Sequence, residues 1–413
     1  LSVISEPPRQ IKTMMFDKFK PMADFQAELA ERSVEPFGAI TEKILSATEG
    51  VVQGRNVILA GTNNYLGLSF DPRCIKAAQD ATALWGTGTT GSRLANGSFA
   101  EHQALETEIA QFYGVDNAIV FSTGYTATMG MCATLAGPGD VILLDADSHA
   151  SIYTGVKLSG AEIIRFKHSD PEDLAKRLRR LGDRAHQTLI IAEGIYSMLG
   201  DVAPLQEIAA VKREYGGYLF VDEAHSMGVM GATGRGAAQA AGVEADVDFF
   251  CGTFSKSLGA IGGFCVSRHA ELAAIRFCIN SYIFTASSSP SVIASTREAL
   301  RITAAEPELQ AKLWDNCNRL YQGLKSMGLP VGPTASPVVA VAMEDRSRTI
   351  DCWKALMEAG VYVNLVIPPA SPSTNFLLRN SVSAAHTSAQ IDAIIAAYAG
   401  LKSAGLITGT QAH

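Results

Sequence analysis

One lysine in this chain is presented as a nucleophile. The segment Asp248-Phe-Phe-Cys-Gly-Thr-Phe-Ser-Lys-Ser257 carries Lys256 out of an apolar, strand-like run into a turn of Gly, Thr and Ser. The approach through Val247, Phe249 and Phe250 and the exit through Leu258-Gly-Ala-Ile-Gly-Gly-Phe264 are apolar or small, which places the ammonium in a crease. Desolvation lowers a lysine's pKa and frees its lone pair, as a Schiff-base lysine requires. The plainer alternative is a lysine laid along a loop with its head in water. Upstream, Gly217-Tyr-Leu-Phe-Val-Asp222-Glu-Ala-His225 is a short β-branched and aromatic run that ends in a carboxylate. In open α/β sheets the carboxyl ends of the strands form the ligand crevice, so Asp222 stands where a cofactor lies, unless it merely caps the next helix. A strand-end aspartate followed by a strand-end lysine suits pyridoxal 5'-phosphate: the lysine binds the aldehyde, and the aspartate keeps the pyridinium nitrogen protonated.

Further groups point to the same crevice. Phe121-Ser-Thr-Gly-Tyr125 ends a strand just before the helical stretch Thr126 to Leu135, so free N–H groups beside Gly124 suit a phosphate. Thr253 and Ser255 flank the lysine turn and can add hydroxyl contacts, although turn chemistry alone also accounts for them. In Asp145-Ala-Asp-Ser-His149-Ala-Ser, His149 is placed to stack on a pyridine ring, and His225, three residues after Asp222, to reach the ring's phenolic oxygen. His102, His168, His186, His269 and His386 have no such placement. Gly86-Thr-Gly-Thr-Thr-Gly91 matches the dinucleotide fingerprint literally, but Ile75 to Trp85 before it reads as an amphipathic helix rather than a strand. A nicotinamide-dependent oxidoreductase is therefore disfavoured, and these glycines let the backbone run close to a substrate or a second subunit.

These groups need a sheet to hold them. From Val57 to about Ala304, seven strand-like runs, from Ala118-Ile-Val-Phe121 to Gly263-Phe-Cys-Val266, alternate with helical stretches. That pattern predicts an α/β domain, a mostly parallel sheet with helices on both faces, spanning 57–304. A smaller α+β C-terminal domain, 305–413, follows: a long amphipathic helix from Glu308 to Met327, a strand at Val338 to Ala342, a helix from Thr349, a strand at Val361 to Asn364 and a last helix. Residues 1–56 read as an N-terminal helical arm, with Phe19, Met22, Phe25 and Leu29 at helical spacing before Pro36.

Composition narrows the class. With 413 residues, 47% of them hydrophobic, the chain can bury a large core and form more than one domain. A formal charge of -7 leaves no basic field for nucleic acid, and the cluster Lys176-Arg-Leu-Arg-Arg180 reads as a solvated helix face. Seven scattered cysteines without a Cys-x-x-Cys argue against a disulfide framework or a zinc site and point to a reducing cytoplasm. Neither a secretory leader nor an apolar span of membrane length is evident.

Taken together, Asp147-Ser-His149-Ala-Ser, Glu193-Gly-Ile-Tyr-Ser-Met198, Asp222-Glu-Ala-His225-Ser and Gly252-Thr-Phe-Ser-Lys256-Ser closely resemble the α-oxoamine synthase family. The resemblance implies a fold type I pyridoxal phosphate transferase, homodimeric with its active site at the subunit interface, that condenses an amino acid with an acyl thioester and loses carbon dioxide. Gly88-Thr-Thr-Gly-Ser-Arg-Leu-Ala-Asn-Gly97, Tyr196-Ser-Met-Leu-Gly-Asp-Val-Ala-Pro204 and Tyr282-Ile-Phe-Thr-Ala286 look most like the bacterial members that join L-serine to palmitoyl-CoA, giving 3-ketodihydrosphingosine in the first step of sphingolipid synthesis. The resemblance further implies Lys256 as cofactor lysine and base, Asp222 as pyridinium partner, His149 as stacking group and His225 as phenolic-oxygen contact. Gly124, Tyr125, Thr253 and Ser255 would hold the phosphate, with Thr285 reaching the phosphate of the other subunit. Arg379 in Phe376-Leu-Leu-Arg379 would bind the substrate carboxylate, with Asn63 and Ser197 nearby.

Two positions depart from that subgroup: Asn63 stands where it carries tyrosine, and Ile367 where it carries arginine before Pro-Pro. Both bear on the acyl donor, which is either a coenzyme A or a carrier-protein thioester, and on the choice of amino acid. The rivals are 8-amino-7-oxononanoate synthase, glycine C-acetyltransferase and, in another reaction class, a pyridoxal phosphate aminotransferase. A catalytically dead partner subunit is opposed by the presence of Lys256 and Asp222. A greasy product makes transient contact with the inner membrane face of the cytoplasm an expectation as well.

Overall fold

The computed structural model describes residues 15–32, 34–368 and 375–407. The helical reading of residues 1–56 holds only for the helix Lys20–Glu31 and the short 3-10 turn before it, and residues 1–14 lie outside the described residues. Phe25 and Leu29 of that helix are buried, while Phe19 and Met22 are exposed. Later in the expected arm the described residues form strands instead: β1 (Thr41–Ile44), β2 (Glu49–Val52) and β3 (Arg55–Leu59), an antiparallel set. Gln53 and Gly54 both take positive φ, the conformation of a tight hairpin turn, and the alternating Val57 and Leu59 bury one face. Period-two alternation and turn chemistry override the helical spacing upstream.

The central sheet matches the sequence expectation strand for strand. It comprises β4 (Asn117–Phe121), β5 (Val141–Asp145), β6 (Glu162–Phe166), β7 (Thr188–Glu193), β8 (Tyr218–Asp222), β9 (Phe249–Thr253) and β10 (Gly263–Ser267), in the order β4-β10-β9-β8-β7-β5-β6. All neighbours are parallel except β10, which runs antiparallel to both β4 and β9. A parallel sheet covered on both faces buries nearly every side chain, which is why these strands read as unbroken apolar runs. Along β7, Ile190 and Ala192 face one core while Leu189 and Ile191 face the other. The two cores lie on opposite faces of the sheet, and the edge strand β6 alone is largely exposed.

The C-terminal portion adds the helix Pro307–Ser326 and four strands: β11 (Val338–Met343), β12 (Val361–Tyr362), β13 (Asn364–Val366) and β14 (Phe376–Ser381). The single strand expected at Val361 to Asn364 divides at Val363. β12 pairs in parallel with β3, while β13 joins β14 and β11 in a second, antiparallel sheet. β14 is its middle strand and was not expected, because Arg379, Asn380 and Ser381 interrupt the apolar run although all three are buried. In its register Arg379 stands opposite Ala340 on one side and Asn364 on the other.

Candidate active site

Parallel register aligns the carboxyl ends of the strands. Glu193 pairs with Asp222, and Asp222 with Cys251, so β7, β8 and β9 deliver Glu193, Asp222 and Thr253 to one edge of the sheet. There, against the start of the helix Gly124–Leu135, lies a cavity of about 340 Å³. Gly124, Tyr125, His149, Asp222, His225, Thr253, Ser255 and Lys256, eight of the predicted site residues, line this one space.

Asp222 is buried, and its carboxylate accepts from Thr128 Oγ1 at 3.0 Å and from the Ala224 N–H at 2.9 Å. Turns rather than a regular helix follow it, so the capping alternative does not hold. Thr128 was missed in the sequence reading; its signal is a position one helical turn beyond Gly124, on the helix face turned to the cavity. Lys256 occupies the crease expected of it. Burial pushes its pKa down to about 8, against the pull of the Asp222 and Glu193 carboxylates, with Arg379 adding to the depression.

The two histidines are held as neutral rings. Burial drives the His225 pKa well below the ordinary imidazole range, and the charges of Lys256 and Arg379 act in the same direction. Its Nδ1 lies 2.7 Å from the Tyr65 hydroxyl, leaving Nε2 for a ligand. Tyr65 keeps its proton because burial raises its pKa to about 12. His149 caps the helix Ala150–Ser159, with Nδ1 bonded to Ser151 Oγ at 2.7 Å and accepting from the Ser151 N–H at 3.2 Å. Burial lowers its pKa as well; Asp222 opposes this and Lys256 reinforces it. Glu193 was not singled out as a site residue, yet it lines the cavity and accepts from the His149 backbone N–H. Burial, reinforced by the Asp222 charge, raises its carboxyl pKa well above the usual range. The visible signal was an apolar run, Leu189-Ile-Ile-Ala-Glu193, that ends in a carboxylate as the Asp222 run does.

The start of the helix Gly124–Leu135 also lines this cavity. Thr123 caps the helix Gly124–Leu135 through the Thr126 N–H, so the amides of Gly124 and Tyr125 open the helix toward the cavity. Thr253 Oγ1 lies 2.8 Å from Ser255 Oγ and donates to the Gly262 carbonyl at 2.9 Å. A Cβ on Gly124 would meet Thr253 Cβ at 2.6 Å and Oγ1 at 2.7 Å, and one on Gly263 would meet Gly124 Cα at 2.6 Å. A cradle that excludes even a methyl group, beside a paired Asp222 and a depressed Lys256, fits pyridoxal 5'-phosphate. Gly124→Ala is expected to weaken cofactor binding about tenfold through overpacking. Titration of cofactor-free protein reads this, and unchanged affinity would show that this backbone holds no phosphate.

The remaining predicted residues sit outside the cavity wall. Arg379, on β14, is buried; its Nε donates to the Ser197 carbonyl at 2.6 Å, and Nη1 donates to Asn63 Oδ1 at 3.2 Å and Ser381 Oγ at 2.9 Å. Asn63 Oδ1 also accepts from the Tyr65 hydroxyl at 3.2 Å, which ties this group to His225. Ser197 thus acts through its backbone, a contact no side-chain motif reveals. Ile367 is fully buried in the core. Thr285 lines a separate small crevice with Arg93, His102 and Ser122, so its predicted phosphate contact depends on a second copy of the chain. Gly86 to Gly91 follow the helix Pro72–Trp85, and the strand a dinucleotide turn needs is not in front of them.

A family model for aminotransferase class I and II matches residues 55–397. The chain belongs to this family. Its membership is reinforced by a serine palmitoyltransferase of Caulobacter vibrioides, strain NA1000 / CB15N, 59% identical over 93% of this chain and 95% of that protein. A serine palmitoyltransferase of Sphingomonas paucimobilis is 46% identical over 92% of this chain and 91% of its own length. Among solved structures, a high-resolution serine palmitoyltransferase with pyridoxal phosphate aligns at a TM-score of 0.92 and 45% identity, covering 96% of this chain and all of that one. As a family member, the chain has the fold type I architecture of pyridoxal phosphate enzymes: a seven-stranded, mostly parallel sheet beside a smaller antiparallel one.

Proposed function

We infer that this chain is a serine palmitoyltransferase, an acyltransferase that uses pyridoxal 5'-phosphate to join L-serine to palmitoyl-CoA and release 3-ketodihydrosphingosine, thiol and carbon dioxide. One observation carries the reading: 59% identity to such an enzyme over nearly the whole of both chains. The intact group of Lys256, Asp222, His149 and His225 in one cavity supports it.

Bound here, the cofactor supplies an electron-withdrawing ring that stabilises negative charge at the amino acid's α-carbon. Arg379 grips the substrate carboxylate and so orients the Cα–H bond. Lys256 Nζ, neutral to a useful degree because its pKa lies at about 8, takes the α-proton and later returns one to the same carbon. Asp222 would hold a proton on the ring nitrogen, and His149, kept neutral by burial, would offer its imidazole to the ring. The α-carbon attacks the thioester carbonyl, the C–S bond breaks, the thiol leaves, and the carboxylate departs as carbon dioxide.

The acyl donor is proposed as palmitoyl-CoA, with a carrier-protein thioester as the alternative chemistry at the same carbonyl. A homodimer with a shared site is supported by Thr285, which lines a crevice separate from its own chain's cavity. Among the described residues no helix is long and apolar enough to cross a membrane. Exposed Phe16, Phe19 and Met22 support our proposal of a cytoplasmic enzyme with peripheral, transient contact at the inner membrane face.

The deciding experiment is an absorbance titration of the cofactor-loaded protein with L-serine, glycine and L-alanine, followed by palmitoyl-CoA and a count of released thiol. A spectral shift with L-serine, and thiol only when both substrates are present, is the expected result. A response confined to glycine or L-alanine would move the assignment to a sister synthase, and half-reactions with a keto acid would move it to an aminotransferase. Arg379→Lys, which loses the planar fork, is expected to raise KM for L-serine roughly tenfold or more while leaving KM for palmitoyl-CoA unchanged.

A further inference from the structure

His168 lies just after β6, in a stretch to which the sequence reading assigns no role in the site. Its imidazole is gripped at both nitrogens, with Nδ1 2.8 Å from Asp145 Oδ1 and Nε2 2.8 Å from Asp201 Oδ2. Carboxylates only accept, so satisfying both requires two N–H donors and hence the imidazolium. Burial disfavours that charge, but the bonds to the two carboxylates outweigh it and push the pKa up to about 10. Tyr196 and the imidazole pack edge to face, with centroids 4.5 Å apart and planes at 87°.

Both carboxylates are anchored. Asp145 closes β5 and accepts the backbone N–H groups of Asp147 and Ser169. Ser169 takes a φ of 50° beside that bond, a left-handed conformation that costs a residue with a Cβ. Asp201 ends a tight turn in which Tyr196 N–H donates to the Asp201 carbonyl and Gly200 N–H to the Tyr196 carbonyl. Inside that turn the Ser197 carbonyl receives Arg379 Nε. We infer that His168 is a positioning residue for the substrate carboxylate: by clasping Asp145 to Asp201 it fixes the 196–201 turn, and through the Ser197 carbonyl it sets the plane of Arg379. The inference rests on the proposed role of Arg379.

The test compares L-serine with L-serinamide, which lacks the carboxylate, by absorbance titration of the cofactor-loaded protein. Asp201→Asn and His168→Phe are expected to bind L-serine about tenfold more weakly and to raise its KM by a similar factor. Serinamide affinity, cofactor content and KM for palmitoyl-CoA should hold, with kcat at saturating L-serine within about twofold. Arg379→Lys is the positive control for the same ligand selectivity. Asp201→Asn strips the charge from one arm of the clasp at constant volume, which keeps the test open if His168→Phe does not fold. Equal losses for serine and serinamide, or no loss for either, would overturn the inference. A wild-type protein that answers only glycine or L-alanine shifts the comparison to that amino acid and its amide, with the same expected tenfold difference. One that answers no amino acid overturns the proposed function and this inference with it.

Discussion

Lys256→Ala is expected to reduce turnover by about four orders of magnitude, since one side chain supplies both the covalent hold on the cofactor and the base. The alanine variant should still take up cofactor, because the helix start at Gly124 and the Asp222 carboxylate remain, but without a covalent link. Retained turnover within about tenfold of wild type would remove Lys256 from the chemistry. The same lysine predicts a pH dependence. Its amine reacts only when neutral, and with a pKa of about 8 roughly a quarter is neutral at pH 7.5, against about a thousandth for an ordinary lysine. Covalent cofactor capture by the cofactor-free protein should therefore rise with pH and level off just above about 8. A rise that continues toward pH ~10.4 would mean that the ammonium is solvated after all.

Asp222→Asn is expected to lower kcat by roughly a hundredfold to a thousandfold with the fold retained. The amide preserves the shape and can still accept from the Ala224 N–H, but it carries no charge with which to hold a proton on the ring nitrogen. A second consequence has the opposite sign from a simple loss of activity. The Asp222 carboxylate favours the Lys256 ammonium and so raises its pKa; removing that charge lowers it further below about 8. Covalent capture of the cofactor by the cofactor-free variant should then reach its plateau at lower pH than in wild type. A plateau shifted upward would contradict the electrostatic coupling between these strand ends.

Much of the central sheet and of the cavity was legible in the sequence, for a specific reason. Buried parallel strands are continuous apolar runs, and a polar residue that ends such a run stands at the crevice, so Asp222 and Lys256 announce themselves. The same reasoning should have found Glu193. What the sequence could not show depends on contacts between distant segments. Ser197 holds Arg379 with a backbone oxygen, His168 gains its role only when β5 and the 196–201 turn converge on it, and β14 hides behind three buried polar residues. The N-terminal strands were obscured by the helical spacing before them, although Gln53-Gly54 carried the hairpin signal.

The corner where β4, β10 and β9 meet the start of the helix Gly124–Leu135 is packed tightly around glycines. A Cβ on Gly124, Gly252, Gly262 or Gly263 would meet a heavy atom at 2.6–2.7 Å, and each obstacle is backbone, an aromatic ring or the Thr253 Cβ. None of these is the far end of a flexible chain, so none can step aside. This corner is therefore mutationally brittle: the solvent-facing strand β6 has room for new side chains, but here each added methyl group meets something that must move. With Arg379 in its proposed role, altered substrate preference is expected from changes on the Asn63 and Arg379 side, where side chains rather than backbones meet.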